Sequence, residues 1–178
     1  MPITPDTKNW TWAAERRCDE CGFDPHEHPS ETVASTIREN AASWIPVLER
    51  PDAALRPSDD RWSDLEYACH VRDVYRLFLE RLELMLKEEN PAFQNWDQDA
   101  TAVAERYDLQ DPATVLVELQ AAALKLADGF QSVRGADWER TGVRSDGNAY
   151  TIATLGALAL HDPIHHLWDV ALRQRPTT

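Results

Sequence analysis

Apolar residues recur every three to four positions in four long stretches of this chain, the period of a helix with one buried face. The first stretch, residues 31–48, follows Pro29 and takes Ser30 as its expected N-cap. Val33, Ile37, Ala41, Trp44 and Leu48 form its stripe, and Pro46 should kink or fray its last turns. The second opens with the clearest start signal in the chain. Ser63-Asp64-Leu65-Glu66 is a capping box, and Trp62 before it and Tyr67 after it fit a hydrophobic staple. That helix should run to about Lys87 on Val71, Val74, Tyr75, Phe78, Leu82 and Met85. The third starts at Asp111-Pro112, cap and first helical residue, and ends before Gly135. The fourth starts near Thr151 and continues to about Arg173, with Leu158, His161, His165, Trp168 and Leu172 on one face. Pro163 inside it frees the Ala159 carbonyl and predicts a kink.

Between the helices the pattern breaks down. Residues 88–110 form a long connection with a short helical turn expected across Ala100–Tyr107. Residues 134–148 carry Gly135, Gly142 and Gly147, which suits a turn or a short strand pair. Residues 1–29 hold Pro2, Pro5, Pro25 and Pro29 and read as an irregular arm that Trp10, Trp12 and Phe23 tack onto a core. The expected architecture is all-α: a four-helix bundle over residues 30–178 with an irregular N-terminal arm over residues 1–29.

Composition narrows the function. The chain has 178 residues, 43% of them apolar, enough for one core. Its formal charge of −13 repels phosphate backbones, so no nucleic-acid partner is expected. No stretch approaches the ~20 apolar residues of a membrane span, so no membrane partner is expected either. Residues 1–12 show no basic-then-apolar leader, and a cytoplasmic location follows as the expectation. Three cysteines, an odd number, argue against a secreted disulfide framework.

The candidate chemistry lies in His161-Asp162-Pro163-Ile164-His165-His166. His161 and His165 are four apart, which stacks two imidazoles on one helix face. His70, at the edge of the second helix's stripe, offers a third. Three imidazoles with an open position suit a catalytic divalent ion, zinc or nickel first. The expected ligands are therefore His70, His161 and His165, with His166 rotated ~100° away and excluded from that centre. Glu66, one turn before His70, is a candidate catalytic base or orienting carboxylate, although its capping role is complete without a metal. Trp62, Trp96 and Trp168 are candidates to line the pocket. Cys18-Asp19-Glu20-Cys21 in the arm leaves four readings open: a second metal site with His26 and His28, a redox pair, a flap placing thiols near the active site, or two reduced thiols without chemistry.

Trp62-Ser63 leading to Glu66 and His70, the helix start Gly147-Asn148-Ala149-Tyr150-Thr151, and His161-x-x-x-His165-His166 together resemble the DinB/YfiT-like metalloprotein superfamily, which includes mycothiol-dependent maleylpyruvate isomerase and bacillithiol transferases. The resemblance spans about residues 30–173. It implies a bundle of unusual connectivity, often a homodimer, with a divalent ion on the positions matched by His70, His161 and His165. It also implies transfer of a low-molecular-weight thiol cosubstrate, of the mycothiol type, to an electrophilic small molecule. Pro163 and the cysteine-bearing arm depart from that pattern. Beside this reading stand a metal-dependent hydrolase and a non-catalytic metal-binding bundle serving as a binding or interaction protein. A zincin-type protease would need glutamate where Asp162 stands, and a di-iron bundle needs E-x-x-H pairs where this chain has Glu66-x-x-x-His70.

Overall fold

The computed structural model describes residues 9–172. Six helices and three short strands follow one another: α1 (Val33–Ser43), α2 (Ile45–Leu48), α3 (Asp64–Lys87), β1 (Ala92–Phe93), α4 (Gln98–Ala104), α5 (Pro112–Ser132), β2 (Thr141–Arg144), β3 (Ala149–Thr151) and α6 (Ile152–Leu172). The four long helices α1, α3, α5 and α6 make the bundle. Its principal packed pairs are α3 with α5 and α6, and α1 with α5 and α6. The consecutive helices α1 and α3 thus sit on one diagonal and α5 and α6 on the other. Among the described residues no helix is long and apolar enough to cross a membrane.

The helix boundaries follow from local chemistry. At the start of α3 the Ser63 hydroxyl accepts the Glu66 N–H at 3.2 Å, and the Glu66 carboxylate accepts the Ser63 N–H at 2.9 Å. Trp62 and Tyr67 close over that turn edge to face, ring centroids 5.5 Å apart. Asp111 caps α5 by accepting the Thr114 N–H at 2.8 Å, with Pro112 in the first turn. Thr151 and Thr154 cap α6 reciprocally, each hydroxyl accepting the other's N–H. The stretch expected as one helix over 31–48 is two. Pro46 has no N–H for the carbonyl four residues back, and the chain breaks at Trp44 before α2 restarts with Pro46 in its first turn. Ser30 lies inside a 3-10 turn, Ser30–Thr32, rather than capping α1. Helix α6 stays helical on both sides of Pro163. Its expected last residue, Arg173, and Pro2 and Pro5 of the arm lie outside the described residues.

A three-stranded sheet closes one end of the bundle. β2 and β3 form the anticipated strand pair, antiparallel with Gly142 opposite Tyr150, and β1 joins β2 in parallel with Ala92 opposite Val143. A Cβ on Gly142 would sit 2.8 Å from Phe93 Cε1 and 2.9 Å from Met85 Cγ, so only glycine lets β2 lie this close to α3. The sheet also fixes the connection after α3. Ser145 donates its N–H to Phe93, and its hydroxyl accepts the Asn95 N–H at 2.9 Å, which presents Trp96 to the bundle interior.

In the core, Leu65, Tyr75, Leu82, Leu119, Leu126, Phe130 and Leu155 are buried. Within it, the Asn40 side-chain oxygen accepts the Tyr75 hydroxyl at 2.8 Å and the Trp44 indole N–H at 3.3 Å. Arg72 reaches Asp73, Gln110 and Glu118, and Tyr107 donates to Asp73.

Candidate metal centres on helix α6

Four potential ligands on α6 fall at positions 161, 162, 165 and 166. They make two overlapping i, i+4 pairs, His161 with His165 and Asp162 with His166. Adjacent residues differ by ~100° around a helix, so the two pairs face different neighbours. The Asp162/His166 pair faces α3, and the His161/His165 pair faces the N-terminal arm. Among the described residues, potential ligand atoms converge in two groups: His70 with Asp162 and His166, and Cys18 with Cys21, His161 and His165.

The expected set of His70, His161 and His165 is therefore not assembled as one centre. His70 meets the other pair instead. Its Nε2 is 3.2 Å from Asp162 Oδ1, and His166 Nε2 is 3.6 Å from the same oxygen. Donors 2.0–2.2 Å from a common tetrahedral ion are about 3.3 Å from one another, so these three atoms fit a divalent ion. Their neighbours orient them. Asp169 holds His166 Nδ1 at 2.9 Å, which leaves Nε2 directed at Asp162 and His70. Arg61 in turn donates to the Asp169 carbonyl. Trp96 stacks on the His70 ring, centroids 5.3 Å apart and planes 13° from parallel, and donates its indole N–H to Thr101 at 2.8 Å. His70 is fully buried, and its Nδ1 has no hydrogen-bond partner. Burial alone would raise the Asp162 pKa, but the charges of His70 and His166 and the His70 hydrogen bond hold that carboxyl well below the usual range.

Asp162 and His166 of this group, with His161 and His165 beside them, line a cavity of about 730 Å³. Trp62, Tyr67, Phe78, Trp96 and Leu158 give it apolar walls, and Arg81 and Arg144 supply cations. The size suits a small-molecule ligand. Arg81 is buried and donates to the Gln94 carbonyl at 3.1 Å, while its Nε has no partner. Burial lowers its pKa to about 10, which leaves it charged at neutral pH. Of the three tryptophans expected at the pocket, Trp62 and Trp96 line it; Trp168 does not, and packs against His165 at 5.3 Å. Trp10 of the arm is a third lining indole. Glu66 is not among the lining residues. Its carboxylate serves the capping box and accepts both nitrogens of the Arg56 fork, with Nε–Oε2 at 2.9 Å.

The second group joins the arm to α6. Cys18 Sγ is 3.7 Å from His165 Nδ1, and the four ligand atoms lie within 4.8 Å of one another. His26 and His28, considered as partners for the cysteines, lie elsewhere: His26 Nε2 is 3.2 Å from the Glu15 carbonyl and His28 stacks on Phe23. Burial pushes His161 down to about 4 and lowers His165, so both imidazoles are neutral at pH 7. Cys18, Cys21 and Cys69 are free thiols. The signal for the first group was legible as a second i, i+4 pair, Asp162 and His166. The partners of the cysteines, about 140 residues away in the chain, carry no local signal.

The sequence model of the DinB superfamily matches residues 23–170. A search of the curated proteins found no match. Among solved structures, one from Bacillus subtilis matches with a TM-score of 0.71 at 20% identity, over 81% of this chain and 86% of that one. It is YfiT, described as a probable metal-dependent hydrolase with an unusual four-helix bundle topology.

Proposed function

Since the chain belongs to the DinB superfamily, we propose that it is a divalent-metal-dependent enzyme acting on a small molecule in the α3–α6 cavity, with His70, Asp162 and His166 as the ligands. The observation that carries this reading is the convergence of three donor atoms from two helices, two of them, Asp162 and His166, on the wall of the cavity and the third, His70, buried behind it. An ion held there by three protein ligands keeps an open position, and its charge acidifies a bound thiol or water to give a nucleophile near neutral pH. The Asp162 carboxylate cancels one charge that a three-imidazole set would leave in place, so the nucleophile is less acidified and more basic. Thiol transfer to an electrophile is the preferred chemistry. The cavity has room for both reactants, and its aromatic walls exclude water from a soft nucleophile.

Arg81 defines the substrate further. Its guanidinium borders the cavity, stacked over Phe78 and Phe93, among the carboxylates of Asp97, Asp99 and Asp146, and a cation held there favours an electrophile with an anionic group away from the reacting carbon. Hydrolysis is the second reading. It is favoured by the description of the Bacillus subtilis structure and uses the same ligands with water in place of the thiol.

The test assays conjugation of a chlorinated nitrobenzoate with mycothiol, bacillithiol and glutathione, beside hydrolysis of activated esters, in wild type, Asp162→Ala and Arg81→Gln protein. A metal-dependent conjugation rate lost in Asp162→Ala, and a KM raised by Arg81→Gln for the acid but not for its methyl ester, are expected. Ester hydrolysis without conjugation would move the assignment to the second reading. Equal rates in wild type and Asp162→Ala would overturn both.

A further inference from the structure

We propose that Cys18, Cys21, His161 and His165 form a second metal site, a closed tetrahedral zinc centre that fastens the N-terminal arm to α6. It is separate from the cavity ion and holds whether or not that ion catalyses anything.

Four observations support it. The first is the donor set. Two thiolates and two imidazoles are a soft, four-ligand set that zinc takes in structural sites, and four protein ligands leave no open position. The second is spacing. In a tetrahedron with Zn–S near 2.3 Å and Zn–N near 2.0 Å, a sulfur and a nitrogen lie about 3.5 Å apart; Cys18 Sγ and His165 Nδ1 are 3.7 Å apart. Apart from ion binding, little accounts for four such atoms gathered at one point.

The third is the local fold of the arm. Gly22 N–H bonds the Cys18 carbonyl at 2.9 Å and Cys18 N–H bonds the Phe23 carbonyl at 2.8 Å, closing a tight loop that points both sulfurs the same way. Gly22 has φ +80°, a conformation strained for any side chain. The fourth is what surrounds the imidazoles. His161 Nε2 is buried without a hydrogen-bond partner. On His165, with Nδ1 turned to Cys18, Nε2 is 3.4 Å from the Glu20 carboxylate, the outer contact that a metal-bound histidine commonly makes. Trp10 and Phe23 pack their rings on His161 at 5.4 and 5.6 Å.

A redox role for the cysteines uses the same sulfurs but gives the two histidines no part, so the four-atom convergence favours the ion. Binding displaces the protons of both thiols, so zinc loading should release acid.

The test uses full-length, tag-free protein. Wild type should carry two zinc ions per chain after zinc loading. X-ray absorption should show sulfur scatterers near 2.3 Å beside nitrogen near 2.0–2.1 Å. Cobalt substitution should give a sulfur-to-metal charge-transfer band. Cys18→Ser/Cys21→Ser protein should lose one ion and the band, while Asp162→Ala should lose the other ion and keep the band. Sulfur-free absorption spectra from metal-replete wild type, or a Cys18–Cys21 disulfide in protein purified under reductant, would overturn the proposal without reliance on a variant that folds. Loss of metal-dependent turnover in Asp162→Ala with the band intact would separate this centre from the cavity site.

Discussion

Two faces of one helix turn differ by a single residue and do different things. Positions 161 and 165 of α6 point two imidazoles at an irregular arm that returns two thiols, and the enclosure is built from rings. Positions 162 and 166 point a carboxylate and an imidazole at α3, which returns one imidazole, and all four α6 donors border the same cavity. The donors on α6 are nearly the same; what distinguishes the faces is the neighbour each one meets. An arm of two short 3-10 turns, Thr11–Ala14 and Pro25–Glu27, joined by a tight loop can bring two donors to an ion at once. A straight helix packed across a groove offers one ligand and leaves space beside it.

The comparison is sharpest in stability. His161→Ala removes one of four ligands from the closed face. Structural zinc sites are worth roughly 10–16 kcal/mol in all, so the loss should be about 3 kcal/mol, read as a lower denaturation midpoint and faster proteolysis before residue 30. If the midpoint in zinc-loaded protein matches wild type, the closed face does not hold an ion. Next comes Asp169→Asn, which keeps the shape but weakens the partner that orients His166. It should cost about 10–100-fold in metal affinity at the open face and leave the thermal midpoint nearly unchanged. An equal loss at both faces, followed by competition with a chelator, would show that they are not separate.

Smaller is the effect of Glu66→Gln. The capping interactions and Arg56 outweigh burial and hold the Glu66 carboxyl below its ordinary range. Its folded pKa is depressed, so the stability it contributes is present above the ordinary carboxylate pKa and is lost as pH falls through the folded value. The variant should cost about 1 kcal/mol at pH 7, and the gap should close in acid urea titrations below about pH 4. Metal content at either face should not change; a loss at the open face would give Glu66 a part in the site. Smallest is Trp168→Phe. It packs on His165 but does not line the cavity, so turnover should stay within about twofold.

Much of the bundle was legible in the chain because its signals are local. The Ser63–Glu66 box, Asp111-Pro112 and the Val71-to-Met85 stripe each lie within a few turns. The diagonal packing was not: nothing in an amphipathic stripe says which other stripe it meets. The sheet was harder still, because β1 has two residues and pairs in parallel with a strand about 50 residues away, too short for alternation to show. The site was half legible. The imidazoles stood out, but assigning them needed the rotation of α6 about its own axis. With donors at 161, 162, 165 and 166 all beside the apolar stripe, periodicity leaves two rotations about equally good. The contact that decides between them, Cys18 against His165, joins residues 147 apart.

Each donor set has its own indole. Trp96 lies face to face on His70, and Trp10 sits 4.9 Å from the ring of His165. An ion bound to either imidazole alters the quenching of the indole beside it and the ring's freedom to move. The protein therefore reports on its own two centres in the light it emits. Trp96→Phe reduces the signal from the cavity side, where Trp62 also faces His70, and Trp10→Phe reduces it on the arm side, where Trp12 and Trp168 also lie against the imidazoles. The difference spectra then follow the filling of each centre in real time, without any added label.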